Sequence, residues 1–330
     1  MKNSIGICSV GVSCPGGIGW EALKTTDGWP VDVTSGGGLG ELRCEVSKID
    51  IGQAPFDRWR MLPRLRRASA LSHHLIEAVS QCLEAMPEIN RSRIGVVGAF
   101  FLGALDYSVR FYKGLTEDGR RFASPLLFPE TVVNSPLSHV VAELGIGGPV
   151  YSQTGDTSCW SSALRTAQAW LANGDADHVV VVGAEEFNAH EINGFDAIRW
   201  LGNEMRVAEG AGAVMLRKPA SGDVATISQV FDGFCYRSRA EAAVAASALL
   251  DAAGSSPRIA DTASSWIRPV VDSVHRGTDP FSLSEGQRFE AFTASCAWNT
   301  IMAAQIASSE PLLVPYWGLS QQIGGAMIVR

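Results

Sequence analysis

Four consecutive valines, Val179 to Val182, set between His178 and Gly183, constrain the fold more than any other stretch of this sequence. A strand sends alternate side chains to opposite faces, so an unbroken apolar run needs cover on both. That environment is a sheet with helices above and below it. The neighbouring sequence fits. Strand patterns over Ile5 to Val12, Arg93 to Gly98, Val150 to Thr154 and Ala211 to Leu216 alternate with helical patterns. Those helices are expected over Leu65 to Met86, Ala104 to Leu115, Ser138 to Leu144 and Trp160 to Ala172, with a short one at Trp20 to Leu23. The fold class is therefore α/β. Residues 24–55, rich in glycine and without periodicity, read as a surface excursion.

The order repeats further along. Ala225 to Phe234 reads as a strand, Arg239 to Ala253 as a helix, Ile259 to Ser264 as a strand and Ile267 to Arg276 as a helix. A strand at Phe289 to Ala294, a helix at Ala297 to Ser308 and strands at Leu312 to Trp317 and Ala326 to Val329 complete it. Two similar β-α-β-α-β-β halves are expected, divided as residues 1–220 and 221–330. No linker separates them, so they share one core.

Composition narrows the function. The formal net charge is −7, from 27 basic and 34 acidic residues, and no basic stripe is present. Nucleic acid is excluded as a partner, because neutralising phosphates needs clustered cations. The densest basic stretch, Arg58 to Arg67, is interleaved with Trp59, Met61, Leu62 and Leu65 and reads as a half-buried surface segment. No apolar run is long enough to cross a bilayer, and no signal peptide is expected at the N-terminus. The seven cysteines show no metal-ligand spacing, so no metal and no cofactor are expected. The reading is a reduced, cytoplasmic protein.

The chemistry concentrates in Asp156-Thr157-Ser158-Cys159-Trp160-Ser161-Ser162. Cys159 falls between a strand and the first turn of a helix, where free N–H groups and the helix dipole stabilise a thiolate. Spacing alone leaves two meanings open: a nucleophile, or a small buried thiol at a close helix–strand contact. The stretch resembles the nucleophile elbow of β-ketoacyl synthases in the thiolase superfamily, with Cys159 at the nucleophile. The same resemblance runs through Ile7 to Val12, Ser124-Pro125, Phe128-Pro129, Asn134, Leu144 to Pro149, Asn173 to Asp177, Val182 to Glu185 and Glu209 to Ala213. Together these span most of residues 4–217.

The resemblance implies a thiolase-like fold of two similar halves layered α-β-α-β-α. It also implies pairing, either with itself or with a ketosynthase, through the strand near Val150 to Thr154. The acyl group would come from acyl carrier protein or coenzyme A onto Cys159. Gln322-Ile323-Gly324-Gly325 matches the family's C-terminal Gly-Phe-Gly-Gly turn, so the N–H groups of Cys159 and Ile323 are the expected oxyanion donors. Ile323 replaces the gating aromatic and would alter acyl access.

The family's two basic residues have no clear counterpart. His275 opens a segment, His275 to Pro280, similar to the first, yet strand order puts Ser264 or Ser265 at that place. The second has none: Phe292 to Asn299 holds no histidine, Asn299 would lie inside the helix rather than at its mouth, and Arg288 stands where a lysine is common. His73, His74, His139, His178 and His190 read as structural. The chain is also short for the family, mainly after Glu185 and in the second half. Two roles follow. One is an acyl-transferring protein of fatty acid or polyketide synthesis working through Cys159, which the presence of the thiol favours. The other is a non-catalytic, chain-length-factor-like partner of a true ketosynthase, which the missing bases and the shortening favour.

Overall fold

A computed structural model describes residues 4–35, 43–198, 204–254, 258–263, 267–274, 280–286, 288–319 and 321–330. The first half contains β1 (Ile5–Cys14), β2 (Gly17–Ile18), β3 (Asp32–Ser35), β4 (Arg43–Ser47), α1 (Ala70–Glu84) and β5 (Ile94–Phe100). It continues with α2 (Leu105–Glu117), α3 (Ser135–Leu144), β6 (Val150–Thr154), α4 (Cys159–Asn173), β7 (His178–Glu185), α5 (Ala189–Ile198), β8 (Glu204–Ala208) and β9 (Gly210–Arg217). The second half contains β10 (Ala225–Cys235), α6 (Arg239–Ala253), β11 (Arg258–Asp261), α7 (Arg268–Val274), β12 (Phe281–Ser282), α8 (Thr293–Ile306), β13 (Leu312–Trp317) and β14 (Gln322–Val329).

The strand order shows the duplication directly. In the first half it is β6-β5-β7-β9-β1, and in the second β12-β11-β13-β14-β10. Directions match as well. β5 runs parallel to β6 and β7, and β9 is antiparallel to β7 and β1. Likewise β11 runs parallel to β12 and β13, while β14 is antiparallel to β13 and β10. The two sets meet where Ile5 faces Ile227 across β1 and β10. Each half thus follows β-α-β-α-β-α-β-β, with the strand before α8 at Phe281–Ser282.

Burial divides the molecule into five layers. Val180 and Val182 of β7 pack outward with Leu71, Leu75 and Val79 of α1 and with Leu137 and Val140 of α3. Val179 and Val181 point the other way, into a central layer with Trp160 and Leu164 of α4 and Ile301 of α8. That central layer also holds Val314 of β13 and Ile328 of β14. On the far side, Leu313 and Met327 meet Leu249 of α6 and Val271 of α7. The valine run is covered on both faces, as strand alternation requires.

Two segments depart from the sequence reading. Phe289 to Ala294 is not a strand: α8 starts at Thr293, preceded by a tight turn. In that turn Ala291 N–H donates to Ser295 Oγ at 2.7 Å and Phe292 N–H to Glu290 Oε1 at 2.7 Å. The apolar residues are buried because the turn lies between layers, which mimics a strand pattern. Residues 24–55 are not only surface, for β3, β4 and β8 form a separate small sheet that buries Cys44 and Val46. Among the described residues no helix is long and apolar enough to cross a membrane.

Candidate functional site

The chain leaves β6 at Thr154, turns through Gly155 to Ser158, and enters α4 at Cys159. Cys159 therefore holds the helix N-terminus, where its sequence context placed it. Its N–H donates to the carbonyl of Asp156 at 2.7 Å. The thiol is 6% exposed. Burial raises its pKa far above the ordinary thiol range, and the carboxylates of Glu185 and then Asp156 push the same way. A backbone hydrogen bond from Phe100 opposes them without prevailing. The helix end is too weak, at up to ~2 kcal/mol in favourable partly buried geometries, to offset such desolvation. Burial and both carboxylates thus favour the protonated thiol over the thiolate.

The elbow is fixed to the turn between β13 and β14. The carboxylate of Asp156 accepts from the N–H groups of Thr157 (2.9 Å), Leu319 (2.5 Å), Gln321 (2.8 Å) and Gln322 (3.0 Å). Beside it, Thr157 Oγ1 donates to the carbonyl of Trp317 at 2.7 Å. Gly318 is required here, since a Cβ would stand 2.2 Å from Asp156 Oδ2 and 2.0 Å from the Gln322 carbonyl. These contacts join the two halves at the residue next to the predicted oxyanion donor.

Ile323 itself points away from the thiol. Its side chain is fully buried with Phe231, Leu313, Trp317 and Met327 under α6 and α7, whereas Cys159 belongs to the central layer. The next residue, Gly324, faces α4: a Cβ there would lie 2.1 Å from Ser161 Oγ. The Ile323 side chain and the thiol are thus on opposite sides of the second sheet.

Residues that sequence reasoning did not assign to the site act on the thiol or pack near the elbow instead. Glu185 ends the valine strand inside the core, where its carboxylate accepts from Phe101 N–H (2.7 Å), Leu102 N–H (3.0 Å) and Thr293 Oγ1 (2.6 Å). Burial pushes its own pKa up to about 7. Cys296, on the first turn of α8, donates from Sγ to the Thr157 carbonyl at 3.6 Å and interacts electrostatically with Cys159. Phe292, just before α8, has φ +48° and packs against Phe101, Phe187 and Phe195 at centroid distances of 4.9, 5.5 and 5.5 Å. An acid closing a four-valine run was the one readable signal among these.

None of the five described histidines shifts the Cys159 thiol. His73 Nε2 lies 3.0 Å from the Leu65 carbonyl, and His139 Nε2 lies 2.9 Å from Glu130. His74 is buried, and desolvation pushes its pKa down to about 3. His178 starts β7, at the end opposite Glu185, and His190 stands in α5, 3.9 Å from Asp106. His275, Ser264 and Ser265 lie outside the described residues. Arg288 pairs with Asp261 at 3.3 Å, and it lines a cleft with Asn299, Trp29, Trp298, Phe292 and Cys296.

Beside the site stands a further buried acid, Glu186, whose Oε2 accepts from Leu71 N–H at 2.8 Å. Burial raises its pKa to about 8, and Glu191, Glu209 and Asp106 add to the rise. A folded-state pKa above the unfolded value means the folded protein binds the proton more tightly. Stability from this group is present below about pH 4.5 and is lost as pH rises toward 8. Glu186→Gln is expected to be more stable than the wild type by about 2 kcal/mol at pH 8 and nearly equal to it at pH 5. Urea midpoints at the two pH values check this, and an equal difference at both would refute it.

The comparisons with known proteins agree with this geometry. The model of the β-ketoacyl synthase N-terminal domain matches residues 48–220, more than half of the chain and all of the elbow. The 3-oxoacyl-[acyl-carrier-protein] synthase 2 of Vibrio harveyi is 30% identical over 113 residues, covering 34% of this chain and 27% of that protein. Its counterpart from Vibrio cholerae serotype O1 is 31% identical over the same shares. The aligned part thus spans about a quarter of these relatives' length. Among solved structures, the ishigamide ketosynthase/chain length factor superposes with TM-score 0.78 at 16% identity, covering 98% of this chain and 99% of that one. A β-ketoacyl synthase from Burkholderia phymatum STM815 gives TM-score 0.73 at 14% identity, with 99% of each chain covered. The duplicated fold is that of ketosynthases, and the chain belongs to the β-ketoacyl synthase family.

Proposed function

We propose that this chain is a ketosynthase-like subunit of acyl-chain assembly that works paired with a ketosynthase and does not itself decarboxylate an extender. The observation that carries this reading is the setting of Cys159. Burial first, and then the carboxylates of Glu185 and Asp156, push the thiol toward its protonated form, and no described histidine acts against them. Cysteine attacks as a thiolate, and enolate formation needs separately placed donors. A site of this kind shapes a partner's pocket better than it performs the reaction. The fold match to a ketosynthase/chain length factor supports the reading. A second reading, acyl transfer onto Cys159, is favoured by the thiol's place as first residue of α4.

Pairing has a ready surface. β6 ends the strand order, with Val150 41% and Tyr151 52% exposed. An apolar edge strand left open is an aggregation hazard, so it calls for a partner strand. Carrier docking has a surface too. Arg60, Arg66 and Arg67 are exposed and form no salt bridge among the described residues, beside an exposed Met61. In a chain of net charge −7 this loop suits an acidic acyl carrier protein. All seven cysteines are free, in keeping with a cytoplasmic setting. The test measures carbon dioxide release from a malonyl thioester by the isolated chain. None above background is expected. Release that disappears in Cys159→Ala would overturn the proposal.

A further inference from the structure

The aromatic cleft beside Arg288 stops short of the elbow. Phe292 and Cys296 are among the residues that line it, and Cys159 is not. On the other side of Phe292 lies Phe101, whose N–H holds Glu185 and whose neighbour Phe100 bonds the Cys159 thiol. Phe292 thus lines the open cleft and packs on Phe101, the neighbour of the residue that bonds the thiol. Its backbone is unusual as well. Among the described residues it is the one non-glycine with positive φ, at +48°. A phenylalanine keeps such a conformation only where its surroundings over-determine it. Here the rings of Phe101, Phe187 and Phe195 do so.

We infer that Phe292 is a gate that closes the approach from the Arg288 cleft to Cys159, so that this residue decides whether an acyl thioester reaches the thiol. The residue that follows it is anchored twice. Thr293 Oγ1 is bonded to Glu185, and β7 abuts the Thr293 carbonyl so closely that a Cβ on Gly183 would lie 2.4 Å from it. Movement is left to the Phe292 ring and its own φ and ψ. The inference rests on the reading that Cys159 is shielded in this chain, and it names the residue responsible. Opening exposes the thiol to a thioester carbonyl. The Cys159 sulfur would then bond to the acyl carbon, and the carrier's thiolate would leave, taking up the proton the thiol gives up.

The test alkylates the full chain with iodoacetamide at pH 8.5 and reads each cysteine by peptide mass spectrometry. Phe292→Gly removes the ring and suits the positive φ. It is expected to speed Cys159 alkylation at least ten-fold, with Cys296 changed less than three-fold and buried Cys14 and Cys82 still protected. An unchanged Cys159 rate in a variant that protects Cys14 and Cys82 overturns the gate. If Cys14 and Cys82 react too, the fold has been lost, and Phe101→Ala carries the test by giving the ring room to swing. At least three-fold faster Cys159 alkylation is then expected, and no acceleration overturns the proposal. Alkylation needs neither acyl transfer nor a partner subunit, so failure here is distinguishable from failure of the proposed function.

Discussion

Asp156→Ala is expected to lower the unfolding free energy by about 3–4 kcal/mol, an effect larger than most single substitutions produce. The carboxylate gathers four backbone N–H groups, three of them from Leu319, Gln321 and Gln322 in the opposite half of the molecule. Hydrogen bonds to a charged group are worth about 1.5–3 kcal/mol each when buried, and stranded donors add their desolvation cost. Gln321 is exposed and water replaces part of what it loses, so the sum stays below the simple total. Asp156→Asn keeps one acceptor oxygen and is expected to cost about half as much. Gly318→Ala attacks the same junction sterically. Denaturant unfolding of the three variants measures the effect. A cost below about 1 kcal/mol for Asp156→Ala would show that Thr157 and the strands hold the elbow without it.

Ser152→Pro is expected to weaken pairing with a ketosynthase at least a hundred-fold while leaving this chain folded. The register explains why that residue is chosen. Val96 N–H donates to the Pro149 carbonyl and Gly155 N–H to that of Phe100. In a parallel ladder, then, residues 149, 151, 153 and 155 address β5, while Val150, Ser152 and Thr154 address the outer edge. Proline at 152 removes an outward donor, breaks the pattern a partner strand would use, and costs β6 none of its bonds to β5. A hundred-fold loss is about 2.7 kcal/mol, the scale of one bond lost and its partner stranded. Sedimentation of the co-expressed pair reads the change. Unaltered association with the proline variant would place the interface elsewhere.

The sequence revealed those parts of the fold that depend on local periodicity. Val179 to Val182 announced a two-sided strand, and Val150 to Thr154 and Arg239 to Ala253 have the bounds their patterns suggested. The β12 strand is two residues long and carries no period, so the strand before α8 was expected at Phe289 to Ala294 instead. Phe289 to Ala294 looked like a strand because burial between layers gives the same apolar pattern as burial in a sheet. In the site, the elbow was legible at Cys159 because a motif places it. What acts on the thiol was not. Glu185 acts on it from β7, and Asp156 is itself held by segments up to 166 positions away, as with Gln322. Strand alternation sends the Ile323 side chain under α6 and α7, which its place in a turn motif does not reveal.

Carbon dioxide release from a malonyl thioester, compared between the isolated chain, the pair, and the pair carrying Cys159→Ala in this subunit, tests the central claim most directly. The account predicts background release from the isolated chain, turnover by the pair, and an unchanged rate in the Cys159→Ala pair. Turnover by the isolated chain, or loss of the pair's turnover with Cys159→Ala, would contradict it.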